Sequence, residues 1–462
     1  MKYILANQFG LRGFNNGKQQ VLVNLNTGER IALIPAMANV LKVCDGTVDL
    51  DKNTLFPALA QMANKAYEMG WLVKAEPEKI LRDEQKYQVV DVPDLREVQW
   101  SITGFCNARC RHCFISESQH THKDITTDEM LKIIDELDRN QVKRISITGG
   151  EPLLRKDLPL MLEELDKRDI TISGVSTNAF LLNDQMIELF AKYNMHPHIQ
   201  ISFDGVGHHD WMRGIKGAEE LAVAGMDACK KNGISYILCM CIHRENVHLI
   251  PETIRLAAEH GADGVRIALV GDVGGFAGSE GMTLLSLDEA ASCYLKYIPE
   301  ILSIDADISV EFTGFLYFRI KEPEKYTIEP TAHNCTDLKN NRVCTTVEDT
   351  CYISDEGRVA PCMLTAGTEL ENKCYKLTEH SFEECLKSPA YYEFLHMYAD
   401  QLIEHNEECR HCEHLPSCGC GCRGAAISGQ HSIYGIDIDR CKFFKEGWPG
   451  KIKEVMGKYI KQ

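Results

Sequence analysis

Basic residues are in short supply in this sequence of 462 residues: 50 lysines and arginines face 67 aspartates and glutamates, a formal net charge of −17. A nucleic-acid partner, which selects for a basic footprint, is therefore not expected. Long apolar runs are missing as well. The opening MKYILANQFGLRGFNNG has only a four-residue apolar stretch after Lys2, too short for the apolar region of a secretory signal, and no later run approaches the roughly 20 residues of a membrane span. These absences predict a cytoplasmic protein with no membrane partner. What is present fits a globular chain: 44% hydrophobic residues with mixed charge exclude disorder, and the length suits two or three domains. The 20 cysteines are bunched unevenly, and in a reducing compartment that pattern favours metal or cluster ligation over a disulfide framework.

The periodicity divides the chain. QQVLVNLNTGERIALI (19–34) reads as two strands around an Asn26-Thr27-Gly28 turn, followed by a helical PAMANVLKVCDG, a second helix from about Leu55 to Met69 and a short strand at Trp71-Leu72-Val73. Residues 1–80 thus form a small winged-helix-like module. The charged, poorly periodic 81–96 reads as a linker. From residue 97 to 310 six β-rich runs (VQWSIT, RISITG, ITISGVST, HIQISFDG, SYILCMCI, GVRIALVG) alternate with helix-length segments, one of them with Thr126 and Glu129 in capping-box spacing. Such alternation predicts an α/β fold with a parallel sheet, a partial (β/α)6 barrel like an open TIM barrel, with ligands at the C-terminal strand ends. Residues 311–462 lose the alternation and are irregular and cysteine-rich. Order there must come from metal–thiolate bonds.

Chemistry concentrates at the strand ends. CNARCRHC places Cys106, Cys110 and Cys113 just after the first strand, so three thiolates converge on one metal or cluster and leave a fourth position to be filled. By spacing alone a zinc site completed by His112, His120 or His122 is the alternative. The second strand ends in Gly149-Gly150-Glu151-Pro152, the third in Ser176-Thr177-Asn178 and the fourth in Ser202-Phe203-Asp204-Gly205. Glycines there let a backbone approach a small molecule, and Glu151, Ser202 and Asp204 offer partners to an amine or a ribose. Arg266, charged within an apolar strand, needs a carboxylate partner, which a cofactor or a peptide could supply. His208 and His209 in HHDWMRG read as structural. Cys44, Cys229, Cys239, Cys241 and Cys293 read as core filler, and Cys420 as a bystander.

The C-x3-C-x2-C after the first strand and the GGEP after the second resemble the radical S-adenosylmethionine enzymes, over about residues 97–310. The resemblance implies that Cys106, Cys110 and Cys113 hold a [4Fe-4S] cluster whose fourth iron is chelated by S-adenosylmethionine. It also implies that Gly149, Gly150, Glu151 and Pro152 bind the methionine amine, that Ser176, Asn178, Ser202 and Asp204 contact its polar groups, and that His112 lies near adenine. The implied chemistry is reductive cleavage to a 5′-deoxyadenosyl radical that abstracts a hydrogen atom, with flavodoxin or ferredoxin as electron donor.

Cys344-x12-Gly357-x4-Cys362, then Cys409-x2-Cys412-x5-Cys418-x3-Cys422, then Cys441, is similar to the SPASM domain, which binds two auxiliary [4Fe-4S] clusters. The likeness assigns Cys344, Cys362 and Cys422 to the first and Cys409, Cys412, Cys418 and Cys441 to the second. Cys351 is the preferred fourth ligand of the first, with Cys335 or a substrate thiolate as alternatives; a run of zinc ribbons is the structural alternative for the region. The VNLNTG hairpin, the helix ending in VCDG and the final EMGWLV resemble the recognition element that binds leader peptides of ribosomally made, post-translationally modified peptides. Together these likenesses imply a maturase with three [4Fe-4S] clusters that acts on a precursor peptide and most readily forms a cysteine thioether. Carbon–carbon cross-linking, excision, formylglycine formation and epimerisation are the rival outcomes. Epimerisation would need a hydrogen donor such as Cys374 or Cys385. An iron–sulfur electron carrier is the non-enzymatic one.

Overall fold

The computed structural model describes residues 1–50, 57–76, 79–113, 124–271, 283–329, 337–344 and 346–459. Leu55, His120, His122 and Cys335 lie outside them. The chain opens with β1 (Lys2–Leu5), β2 (Phe9–Phe14), β3 (Gln19–Asn24), β4 (Arg30–Leu33), α1 (Pro35–Val43), β5 (Asp45–Asp49), α2 (Pro57–Glu68) and β6 (Leu72–Lys74). The hairpin of β3 and β4 turns at the expected Asn-Thr-Gly, where the Asn24 side chain accepts from the backbone N–H of Asn26 and Thr27. These elements enclose their own core of Tyr3, Leu5, Leu11, Leu22, Val40, Leu41 and Leu72. The stretch read as a linker joins them: β7 (Gln88–Val89) pairs in parallel with β2 and extends the sheet to the order β4-β3-β2-β7. Its two-residue length explains why no periodicity announced it.

The six expected strands follow as β8 (Glu97–Ser101), β9 (Arg144–Thr148), β10 (Thr171–Thr177), β11 (His198–Ser202), β12 (Tyr236–Ile242) and β13 (Gly264–Leu269). Each is parallel to the next. Between and after them run α3 (Thr127–Arg139), α4 (Leu158–Asp166), α5 (Asp184–Lys192), α6 (His209–Arg213), α7 (Ala218–Asn232), α8 (Ile250–Glu259) and α9 (Leu287–Leu302). α3 starts at the reciprocal Thr126–Glu129 capping box and buries Met130, Ile133, Ile134 and Leu137, each such side chain worth about 1.5–3 kcal/mol of transfer free energy. The strands alternate: Val98, Trp100, Ile145, Ile147, Ile199, Ile201, Leu238, Met240 and Ile267 are buried, while Gln99, Ser146, Gln200, Ser202, Cys239, Cys241 and Arg266 are only half-buried. The apolar set packs into the helices and leaves a polar face for the barrel's interior.

The sheet runs past the six strands at both edges. β14 (Ser309–Phe312) continues in parallel after β13, across the expected boundary at 310, and β15 (Leu316–Arg319) and β16 (Glu322–Ile328) add antiparallel strands. At the other edge β17 (Thr350–Ile353), from the cysteine-rich region, pairs in parallel with β8, and β18 (Val359–Ala360) folds back on it. The eleven-stranded sheet stays open, with β16 and β18 at its ends. Short helices complete the chain: α10 (Glu369–Lys373), α11 (Phe382–Leu386), α12 (Pro389–Leu395), α13 (Ala399–His405), α14 (Glu407–Arg410), α15 (Leu415–Cys418), α16 (Arg423–Gln430), α17 (Ile438–Lys445) and α18 (Trp448–Gly457). No helix of the described residues is long and apolar enough to cross a membrane.

Candidate active site

No two of the described cysteines form a disulfide. Cys106 and Cys110 lie close enough for their charges to interact, and burial pushes the Cys106 thiol up to about 11. Donors already point at the sulfurs: Ala108 N–H lies 3.4 Å from Cys106 Sγ, Asn178 Nδ2 lies 3.8 Å from the same atom, and Arg213 Nη1 lies 3.4 Å from Cys110 Sγ. Such donors stabilise thiolates, the form in which cysteine ligates iron, so the loop fits the expected cluster. Cys113 closes the turn, its N–H donating to the Cys110 carbonyl at 3.3 Å.

The GGEP loop is built against the backbone of this cysteine loop. Gly150 N–H donates to the Thr103 carbonyl and Glu151 N–H to that of Phe105, both at 2.8 Å. A Cβ at Gly150 would run into the Phe105 carbonyl; one at Gly149, whose φ is +143°, would run into that of Thr103. Both glycines are required by this close approach. Pro152 opens a single helical turn to Leu154. Glu151 was expected to bind the methionine amine; its carboxylate is engaged by protein groups. It is 0% exposed and accepts from Leu153 N–H at 3.1 Å, Thr177 Oγ1 at 2.8 Å and Asn178 N–H at 2.8 Å. It therefore ties the second strand end to the third. Asn178 passes the link on, donating to Asn107 Oδ1 at 2.7 Å. Ser176 and Ser202 are half-buried in their strands.

Asp204 is the second fully buried carboxylate. Arg213 Nη2 lies 2.7 Å from it, His209 Nδ1 3.6 Å away, and Cys241 N–H donates to it at 3.0 Å. Burial opposes its ionisation, yet Arg213, His112 and His209 outweigh burial and hold the carboxyl below its ordinary range. Its Oδ1 accepts from Cys241 N–H, and its Oδ2 faces the Arg213 guanidinium. His112, whose Nδ1 has no hydrogen-bond partner among the described residues, converges with Asp204 and Cys241 to within 4.8 Å. The three would resemble a metal site, but Arg213 already supplies the positive charge. Burial pushes His112 down to about 4, so it stands as a neutral imidazole at the cluster loop.

Arg266 finds its partner in the next strand: Nε donates to Glu311 Oε2 at 2.9 Å, where the two residues are in register. This internal carboxylate fills the role that the sequence left to a cofactor or a peptide. Cys239 and Cys241 are corrected as well; they lie on the half-buried polar face of β12 beside Gln200 and Asp204, because that strand's core-facing set is Leu238, Met240 and Ile242. His209 is structural as expected, accepting from Asp204 N–H at 3.0 Å and stacked on Phe203. Sequence reasoning missed Arg213, and the dense HHDWMRG was the signal for it. It also missed His243, whose Nε2 lies 3.0 Å from that of His208.

In the cysteine-rich region two thiol groups assemble. Cys362 feels the charges of Cys422 and Cys344. Cys409, Cys412, Cys418 and Cys441 line one small cavity with Leu402, Leu415, Ile436 and Phe444, a donor set suited to a cluster in an apolar shell. Cys351 joins neither. It is 1% exposed in β17, and its thiol neighbour is Cys385, because the strand that carries it is committed to pairing with β8. Cys374 and Cys385, weighed as hydrogen donors, are buried in this same region, remote in sequence from the strand ends. Arg423, 1% exposed, staples the loop bearing Cys422 through the carbonyls of Ile433 and Gly435 at 2.9 and 2.7 Å.

The pattern of the Radical SAM superfamily, S-adenosylmethionine being the SAM, matches residues 100–257, and that of SPASM, an iron–sulfur cluster-binding domain, matches residues 344–413. The chain has a radical SAM domain and a SPASM domain. This radical SAM chain is 25% identical over 348 residues to the AdoMet-dependent heme synthase of Oleidesulfovibrio alaskensis, covering 73% of this chain and 86% of that one. It is 30% identical over 172 residues to the PqqA peptide cyclase of Granulibacter bethesdensis, covering 37% of this chain and 46% of that one. Its fold is shared with Streptococcus suis SuiB bound to the precursor peptide SuiA, at a TM-score of 0.67 and 15% identity, over 95% of this chain and all of that one. The chain thus carries a radical SAM domain and a SPASM domain on a mixed α/β fold, and S-adenosylmethionine and iron–sulfur clusters go with those domains.

Proposed function

We propose that this radical SAM/SPASM enzyme matures a precursor peptide by installing a cross-link, a cysteine thioether in the first instance. The observation that carries the peptide substrate is the open edge of the N-terminal sheet. β4 pairs only with β3 among the described residues, and Ile34, which follows it, is 65% exposed. An extended leader segment can add there as a further strand through main-chain hydrogen bonds. The module is held to the barrel by Arg30, which pairs with Asp94 and donates to the Gln141 carbonyl, and by Arg12, whose Nε donates to Gln141 Oε1 at 2.9 Å.

Cys106, Cys110 and Cys113 would hold the cluster that, when bound with S-adenosylmethionine and reduced by a flavodoxin or ferredoxin, supplies one-electron chemistry for hydrogen abstraction. Cys344, Cys362 and Cys422, and Cys409, Cys412, Cys418 and Cys441, would hold two auxiliary clusters, three clusters in all. Asn178, Arg213 and the Ala108 N–H steady the thiolates of the first site. Glu151 and Asp204 brace the strand ends, and a peptide segment would lie against the half-buried polar face of Gln200, Ser202 and Cys239.

Co-expression with a candidate cysteine-containing precursor peptide, followed by mass spectrometry, tests the reading: each cross-link should lighten the peptide by two hydrogens. An unchanged mass with deuterium taken from solvent overturns cross-linking in favour of epimerisation. The match to a heme synthase over 73% of this chain and 86% of that one favours a tetrapyrrole as the second reading. Formation of 5′-deoxyadenosine that is stimulated by an iron porphyrin and indifferent to the peptide would decide for it.

A further inference from the structure

The short helix α6 is joined to the cysteine loop along its C-terminal end. Arg109 N–H donates to the Arg213 carbonyl at 2.8 Å and Arg111 N–H to that of Met212 at 3.0 Å, while the Arg111 guanidinium lies 4.5 Å from the centre of the Trp211 ring. Gly214 ends the helix at a φ of +64°, where a Cβ would run into the Arg109 carbonyl. These contacts hold the backbone of Arg213 beside that of Cys110. Its side chain, 7% exposed, then spans two acidic groups: Nη1 lies 3.4 Å from Cys110 Sγ, and Nη2 lies 2.7 Å from Asp204 Oδ2. Cys110 is thus approached by a charged donor, whereas Cys106 receives neutral ones from Ala108 N–H and Asn178 Nδ2. A charged donor to a metal-bound thiolate makes the stronger hydrogen bond, and in a buried site its charge is little screened.

We propose that Arg213 raises the reduction potential of the cluster held by Cys106, Cys110 and Cys113, through the charge it brings to the Cys110 sulfur, and that Asp204 at its other nitrogen tempers the effect. The inference rests on the reading that these three cysteines hold a cluster. One electron passes from the flavodoxin or ferredoxin to the cluster, and no bond forms or breaks in that step. The electron adds negative charge to an already anionic group, and the guanidinium at its sulfur offsets that charge. Arg213 is a positioning residue that acts through the cluster.

The two charges predict shifts of opposite sign. The full-length protein, reconstituted anaerobically, is titrated redoxically without S-adenosylmethionine and followed by electron paramagnetic resonance; the cluster concerned is the one whose signal changes when S-adenosylmethionine is then added. The double variant Arg213→Gln/Asp204→Asn removes both charges and keeps amides able to hydrogen-bond, and its signal should move to lower potential. Asp204→Asn alone leaves the guanidinium without its counter-charge, and there the signal should move to higher potential. All other iron–sulfur signals should stay in place in both. Shifts of the same sign in the two variants would report loosened packing and overturn the role of Arg213, as would an unmoved potential in protein with its full iron and sulfide content. Wild-type protein in which no iron–sulfur signal responds to S-adenosylmethionine overturns instead the reading beneath the proposal. Should the double variant fail to fold, Asp204→Asn decides by itself: a potential that stays or falls refutes the proposal.

Discussion

The barrel and the cysteine-rich region both gather thiols, but they hold them by different means. The barrel's cysteine loop rests on a sheet whose strands bury Trp100, Ile147, Ile201 and Met240 completely or nearly so, and the loop is braced by two buried carboxylates and their partners. The C-terminal thiols sit among helices of four to ten residues. One of the local cores there amounts to Val343, Met397, Ala399, Leu402, Leu415 and Cys420. So small a core cannot offset the chain entropy of ordering such a segment. The difference teaches that the same ligand type is ornament to one fold and foundation to the other: the barrel should exist without metal, the stretch from α13 to α16 should not.

The sharpest break of this contrast is a pair of substitutions. Cys113→Ala is expected to abolish 5′-deoxyadenosine formation from reduced enzyme while leaving the thermal midpoint of the barrel in place. Cys422→Ala should expose the loop stapled by Arg423 to protease. If both variants lose the fold equally, the contrast is wrong. Next in size is metal removal under anaerobic chelation. Hydrogen exchange should rise across α13 to α16 while β8 to β13 keep their protection. α18 should stay protected as well, since Trp448 Nε1 donates to Asp288 at 2.8 Å and ties it to α9. A third test reaches the barrel's own scaffold: Arg213→Met leaves Asp204 charged in the interior without its cation, and should cost about 3–5 kcal/mol in denaturant unfolding. A loss below about 1 kcal/mol would mean that His209 and Cys241 N–H suffice for that carboxylate.

The strands of the barrel were legible because six β-rich runs keep their helical spacers, and the site loops because C-x3-C-x2-C and GGEP fall at strand ends. What could not be read is how the two regions are joined. β17 pairs with β8 across a long separation in sequence, and nothing local in TCYI marks it as an edge partner of VQWS. The same pairing sets Cys351 beside Cys385, a consequence visible only once the strand is placed. Cys239 and Cys241 were misread for a related reason. Alternation says that they share a face but not which face is inward, and in a barrel the inward face is polar. The carboxylates Glu151 and Asp204 were found as site residues, yet sequence gives residue type and spacing and not the side to which a carboxylate turns.

Those two carboxylates give the smallest effect and the finest test of how the barrel braces its loop. Both are 0% exposed, but Asp204 has Arg213 against it and is held low, whereas burial, only partly countered by Asn178 N–H, Thr177 and Leu153 N–H, pushes Glu151 up to about 7. In the unfolded chain a glutamate titrates near its ordinary value of about 4.3. Between about pH 4 and pH 7 the folded protein thus keeps a proton that the unfolded chain has released. Glu151 must therefore make the protein less stable as pH climbs through this window, by up to about 3 kcal/mol in all, with no further change above it. Asp204 works in the opposite sense: its stabilisation is present above the ordinary aspartate range and is lost only as pH falls below it. Glu151→Gln keeps the shape and cannot ionise. Its stability should lie within about 1 kcal/mol of the parent at pH 4, the cost of an amide N–H set against a backbone donor, and should then lack the parent's decline toward pH 7. A variant that still declines with the parent's slope would place the titrating group elsewhere. The GGEP loop would then be braced by a carboxylate ionised throughout, as Asp204 is.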